Sequence, residues 1–312
     1  MQTQYVFVWL LLCSSLATWA CDACGCSAGG VGFGYIPFQQ RHMIGLHYQN
    51  NQFETTHPAL FSTETDQVSF DKFNTLSLWG RYYLNEDWFL SAVVPFKSNS
   101  FNLGNETTQL TGLGDIQLQG YYSLLSRGDA MSDKQLNWFL GGQLFLPTGR
   151  QDDATRQSLP NLQLGSGAFG SGLLSTISYR KYNLGISSEM TSRFNTSNKY
   201  NYSFGRELST NSLLFYRVKR ERVTLLIPQL GVYTLNRAKD YIDRSQKSIN
   251  ILSGVSQLNA VVGVSVYVAN IGLRTYYHLP VSHSISNDQT KPTQSFNIQL
   301  LYLLKSKNNE NN

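Results

Sequence analysis

The ten residues TLSLWGRYYL, Thr75–Leu84, interleave two different surfaces. Leu76, Leu78, Gly80, Tyr82 and Leu84 fall on one face of an extended chain; Thr75, Ser77, Trp79 and Arg81 fall on the other. Side chains of a β-strand alternate between its two faces, so a period of two over about ten residues marks a strand with one apolar and one polar side. The same rhythm runs through DIQLQGYYSLL (Asp115–Leu125), NLGISSEMTSR (Asn183–Arg193), QLNAVVGVSVYV (Gln257–Val268), NIGLRTYYHL (Asn270–Leu279) and SFNIQLLYLL (Ser295–Leu304). The polar sets include charges, which lipid rejects and an aqueous lumen accepts.

Read along the whole chain, the rhythm predicts twelve strands, at about 41–54, 72–84, 87–97, 113–125, 135–147, 168–180, 182–194, 204–217, 222–236, 255–268, 270–281 and 293–304. The connections alternate in length. Long polar stretches such as TTHPALFSTETDQVSFD and TGRQDDATRQSLPNLQLGSG take turns with tight ones such as NED and the step at Ala269-Asn270; SRGDAMSDK is the exception. An even strand number with short turns at one end and long loops at the other is the plan of a bacterial outer-membrane barrel. The expected fold is therefore all-β, a transmembrane antiparallel up-and-down β-barrel of about twelve strands, with long loops outside and both termini periplasmic. A soluble sandwich or jelly roll is the competing fold, and the alternating connection length argues against it. Charged residues make up only 14% of the chain and aromatics 13%, which fits a lipid-facing surface. The net charge of +5 is dispersed without a basic stripe, so nucleic acid is not an expected partner.

The ends read differently. YVFVWLLLCSSLA, followed by Thr18-Trp19-Ala20, has the apolar run and small flanking residues of a secretory signal peptide over 1–20, although MQTQY lacks the usual positive charge. Residues 21–40 form a Cys/Gly-rich segment, 41–304 the barrel and 305–312 a polar tail. Cleavage after Ala20 would leave Cys21 first. Thr18 and Trp19 fit a lipoprotein box poorly. Cys21, Cys24 and Cys26 are candidate ligands for a soft metal, Cu or Zn, because thiolates prefer such ions. Three thiols leave a fourth ligand to be supplied by the α-amine, Asp22 or His42. Disulfide pairing in an oxidising compartment is the alternative for the same cysteines. The Gly-rich continuation SAGGVGFGYIPF either threads into the lumen or serves as a periplasmic tether.

Three stretches of the middle resemble a known family. They are TGLGDIQLQGYYSLL (Thr111–Leu125), FLGGQLFLPTGR (Phe139–Arg150) and LQLGSGAFGSG (Leu162–Gly172). A Gly-x-Gly-Asp strand opening, a strand ending in Leu-Pro-x-Gly and a following Gly-x-Gly turn resemble the outer-membrane, transporter-like barrels of the phenol meta-pathway degradation type. The resemblance implies an outer-membrane barrel and a transport role. The residues also make sense unaided: Gly112 and Gly114 permit a tight path where a loop rejoins a strand, Asp115 then faces the lumen, and Pro147 stops ladder pairing at a rim.

Arg81, Asp115, Glu189, Arg193, Arg274 and His278 are the candidate lumen lining, and salt bridges filling a narrow interior are the structural alternative for them. GSGAFG (Gly165–Gly170) matches a dinucleotide fingerprint, but no helix follows, so no cofactor is expected there. His278 and Ser282 are near each other in sequence without any hydrolase motif around them, and no enzyme is expected. The expected function is passage of small solutes through a polar lumen, with a metal link at the cysteines. The alternatives are a structural or adhesive barrel and an outer-membrane hydrolase. Outer-membrane lipid, the barrel-assembly machinery and a small-molecule solute are the expected partners.

Overall fold

The structure, a computed structural model, describes residues 41–57, 66–128, 132–153, 160–219, 225–243, 248–249, 253–285 and 288–304. The signal peptide expected over 1–20, the segment 21–40 with Cys21, Cys24 and Cys26, and the tail 305–312 lie outside the described residues. The strands are β1 (Met43–His57), β2 (Gln67–Tyr83), β3 (Trp88–Leu103), β4 (Glu106–Leu113), β5 (Ile116–Arg127), β6 (Lys134–Leu146), β7 (Gly170–Lys181), β8 (Leu184–Asn195), β9 (Glu207–Tyr216), β10 (Leu225–Arg237), β11 (Tyr241–Asp243), β12 (Ser248–Ile249), β13 (Val255–Val268), β14 (Ile271–Ile285) and β15 (Thr290–Leu303).

All but β11 and β12, which pair with each other, join one antiparallel sheet. β1 pairs with β15 on one side and β2 on the other, and β2 pairs with β3, so the sheet closes on itself. β3 pairs with β4 over Phe96–Leu103 and with β5 over Trp88–Val93. β4 and β5 are thus two halves of one stave, interrupted at Gly114-Asp115, and thirteen strands make twelve staves. The sequence reading begins this stave at 113; the structure begins it at Glu106. Glu106–Gly112 reads as loop because it has no apolar face, and near the end of the wall that carries the long loops none is needed.

Closure satisfies the backbone groups without any sheet edge, which is the condition for crossing hydrocarbon with strands. The outward faces carry the apolar half of the alternation: Leu76 is 46% exposed and Leu78 is 49%. Tyr82, Trp88, Tyr122, Tyr179, Tyr182, Tyr216 and Tyr302 are exposed close to the short-turn end, where they form an aromatic girdle of the kind that sits at a membrane interface.

The inward faces are not uniform. At the short-turn end they bury Met43, Trp79, Tyr83, Phe89, Val93, Tyr121, Phe215, Ile227, Tyr267 and Leu301 in one apolar cluster. Phe89 stacks on Tyr121 at 4.5 Å, takes Phe139 edge-on at 5.5 Å and carries the Arg81 guanidinium 4.6 Å above its ring. Gly45 sits opposite Trp79, where a Cβ would come within 2.9 Å of the indole nitrogen. Halfway along, the inward set turns polar: Gln49, Gln117, Gln143, Glu189 and Asn259 are buried there. A smaller apolar group of Phe53, Phe73, Leu235, Val255 and Ile285 reappears on one side near the long loops.

Candidate functional site

Above the apolar cluster the lumen opens into a polar cavity of about 120 Å³, whose wall includes His47, Gln49, Glu189, Arg193, Asn211 and His278. That is room for several waters. Its floor is a network around Arg274, which is fully buried. One guanidinium nitrogen of Arg274 donates to Gln299 Oε1 at 3.0 Å and another to the Tyr276 hydroxyl at 2.5 Å. Tyr276 in turn donates to Gln229 Oε1 at 3.2 Å, and Gln229 Nε2 to Ser265 Oγ at 2.7 Å. Five side chains from β10, β13, β14 and β15 are locked in this way, and the layer separates dry from wet. On the wall, Asn297 bridges the two histidines, with His47 Nε2 at 3.3 Å from Oδ1 and His278 Nε2 at 3.0 Å from Nδ2. The Tyr233 ring meets His278 edge-on at 5.4 Å.

Toward the long loops a second, narrower space of about 20 Å³ follows, with Gln117, Phe145, Arg193 and Glu207 lining both. Its roof is the later part of the connection between β6 and β7, residues 160–168, which lies inside the barrel. Leu162, Gln163, Leu164, Ser166 and Ala168 of this connection are all buried. Asp115, at the break between β4 and β5, holds it in place. Gly149 N–H donates to Oδ1 at 3.0 Å, and Ser166 gives Oδ2 both its N–H at 2.8 Å and its hydroxyl at 2.7 Å. Asn99 Nδ2 donates to Leu162 O at 3.0 Å from the next stave. Gly149 and Gly165 pack backbone to backbone: a Cβ on Gly165 would lie 2.6 Å from Gly149 Cα and 2.5 Å from Asp115 Oδ1. The three sequence stretches that carry the family resemblance therefore meet at one carboxylate.

The six candidate lining residues separate accordingly. Glu189, Arg193 and His278 share the large cavity. Asp115 is bound to the inturned connection at the narrow space. Arg81 lies over Phe89 in the dry end, and Arg274 fills the floor. The last two carry charge on the inward face, as parity requires, but sit among aromatic rings because the staves bring Trp79, Tyr267 and Tyr276 to the same depth. His47 was missed, although its alternation with Ile44, Leu46 and Tyr48 gives the signal that would place it inside. Lys97 was missed because the third strand was ended there, whereas β3 runs on to Leu103. Gly165–Gly170 is the inturned connection and the start of β7, without a helix after it. Among the described residues no group of three or more His, Cys, Asp or Glu is arranged to hold a metal ion.

A closed twelve-stave barrel with an apolar exterior and an enclosed polar cavity defines an outer-membrane β-barrel. Residues 62–246, more than half of the chain, match the family described as "MetA-pathway of phenol degradation", and the chain belongs to that family. The COG4313 outer membrane channel from Pseudomonas putida F1 is similar in structure, with a TM-score of 0.65 at 14% identity over 88% of this chain and 98% of that one. A FadL homologue from Pseudomonas aeruginosa, with a TM-score of 0.39 at 10% identity over 92% of this chain and 98% of that one, is much less alike. No curated protein matches the chain.

Proposed function

We propose that the barrel passes small solutes across the outer membrane through its polar cavity, selecting them by size and by the charges on the wall. The observation that carries this reading is the space for several waters in the middle of the lumen, walled largely by polar side chains and sharing lining residues with a narrower one under the inturned connection. Pore dimensions and lining groups suffice for such selection without covalent chemistry. Solutes load from the long-loop end, which faces outside, while both termini face the periplasm. The aromatic cluster at the short-turn end is the barrier to flow. Membership of a family named for phenol degradation, and the likeness to a protein called a channel, are consistent with a transport role.

The test is osmotic swelling of liposomes holding the purified, folded full chain. Swelling is expected in glycine and glycerol and not in sucrose. If no solute enters, and none enters after the barrier is opened by Trp79→Ala in a protein that still folds, the reading fails.

The cysteines extend the proposal. Cys21, Cys24 and Cys26 bind Cu(I) or Zn through their thiolates, a donor set that suits soft ions. Equilibrium dialysis of the reduced mature protein checks it; affinity equal to that of a triple Ser variant removes the metal from the account.

A further inference from the structure

We propose that Lys97 and Arg193 form a binding site for the carboxylate of a small organic acid in the narrow outer part of the lumen. The proposal names a solute class for the passage proposed above and rests on that reading. Lys97 is 7% exposed, and among the described residues its ammonium has no hydrogen-bond or ion-pair partner. The low exposure is that of the stem: the ammonium is not among the enclosed polar atoms left without a partner, so it meets the water of the space it faces. Lys97 lines the narrow space, where an anion can take the place of that water beside a cation without a counter-charge. Its stem is fixed by Gly114, at which a Cβ would lie 2.9 Å from Lys97 Cε and 3.1 Å from Pro95 Cγ. The glycine of the Gly-x-Gly-Asp motif thereby clears the track along which the lysine lies.

Arg193 lines the same space from β8, four staves round the wall from β3. Its guanidinium lies over the Phe145 ring, 3.9 Å from the centroid, and Nε donates to Asn195 Oδ1 at 2.8 Å. Those two contacts fix the plane of the group. Among the described residues its outer N–H groups have no acceptor, so an edge of parallel donors faces the lumen. Such a planar fork matches a planar carboxylate, with two N–H···O bonds in parallel. Arg237 also lines the space, against the carboxylates of Asp115 and Glu207. Asp115 is already committed to Gly149 and Ser166. Cations at the wall outnumber carboxylates three to two, and an incoming anion evens the count. The volume of about 20 Å³ admits a head group at the site, with the rest of the molecule in the wider cavity below.

The test needs no flux. Carboxyl-13C acetate is titrated against the full chain folded in detergent, and its line broadening is followed with unlabelled acetate and with acetamide as competitors. Saturable broadening displaced by acetate but not by acetamide is expected. Lys97→Met should weaken binding at least tenfold, Arg193→Met likewise, and Arg193→Lys less than Arg193→Met. Lys97→Gln serves if Lys97→Met fails to show the heat-modifiable mobility of a folded barrel. Absence of saturable broadening, displacement by acetamide as effective as by acetate, or unchanged binding in folded variants overturns the site. Because binding is read in micelles, silent liposomes would overturn the passage and leave the acetate result to stand by itself.

Discussion

On β1, β2, β3 and β5 the inward positions near the short turns are Met43, Trp79, Phe89 and Tyr121, whereas four to eight residues further along the same strands they are Gln49, Thr75, Lys97 and Gln117. Strand, face and parity are the same, and the chemistry is opposite. The dry end gains stability by removing aromatic surface from water, at about 25 cal/mol per Å². The wet end gains little net stability, since each neutral hydrogen bond there replaces one to water and contributes about 1 kcal/mol. Apolar packing and polar lining are thus assigned to different depths of one cylinder, with the Arg274 network as the boundary.

The largest expected effect tests the dry end. Trp79→Ala removes a side chain that is 1% exposed and should lower stability by about 3–5 kcal/mol. Urea unfolding of barrels in lipid vesicles measures it; a loss below about 1 kcal/mol would mean the cluster does not hold the barrel and would erase the contrast. A smaller, local effect is expected at the wet end. Asp115→Ala leaves Gly149 and Ser166 without their acceptor, a loss of about 1.5–3 kcal/mol for bonds to a charged group. It should loosen the inturned connection while the unfolding midpoint moves little. Faster tryptic cleavage at Arg150 is the readout, and a midpoint shift as large as that of Trp79→Ala would show that the two depths are not independent. The smallest effect lies outside the cylinder. Ser188 and Ser212 share a hydroxyl hydrogen bond of 2.8 Å across the outward faces of β8 and β9, and Ser188→Ala should cost less than about 1 kcal/mol in the same unfolding assay.

The closed cylinder was legible in Thr75–Leu84 and its counterparts because lipid makes an absolute demand on every second residue. Strand number and the side faced by each charge follow from that demand alone. Depth does not. Arg81 and Arg193 have the same parity and similar neighbours in sequence, yet one lies over Phe89 among packed rings and the other faces the cavity, because Phe89 and Tyr121 arrive beside the first, and Phe145 and Glu207 beside the second, from other staves. The inturned connection was equally out of reach. TGRQDDATRQSLPNLQLGSG is polar and Gly-rich, as loops in water are, and the inward position of its described residues 160–167 depends on an acceptor at Asp115 and a close backbone approach at Gly149. The Gly and Asp positions were noticed as motifs; that they belong to one knot could be read only once the staves between them were assembled.

The staves also differ in height. β2 has 17 residues and β9 has 10. At about 3.3 Å per residue and a tilt of about 40° these stand about 43 Å and 25 Å tall, against an apolar band of about 25 Å. The strand wall is therefore taller along β2 and β3 than at β9, where it is continued by the bridge between Ser203 and Tyr241. With the long loops outside, as proposed, the mouth stands higher along β2 and β3 than at β9, and the rim itself gives the approach of a solute a direction.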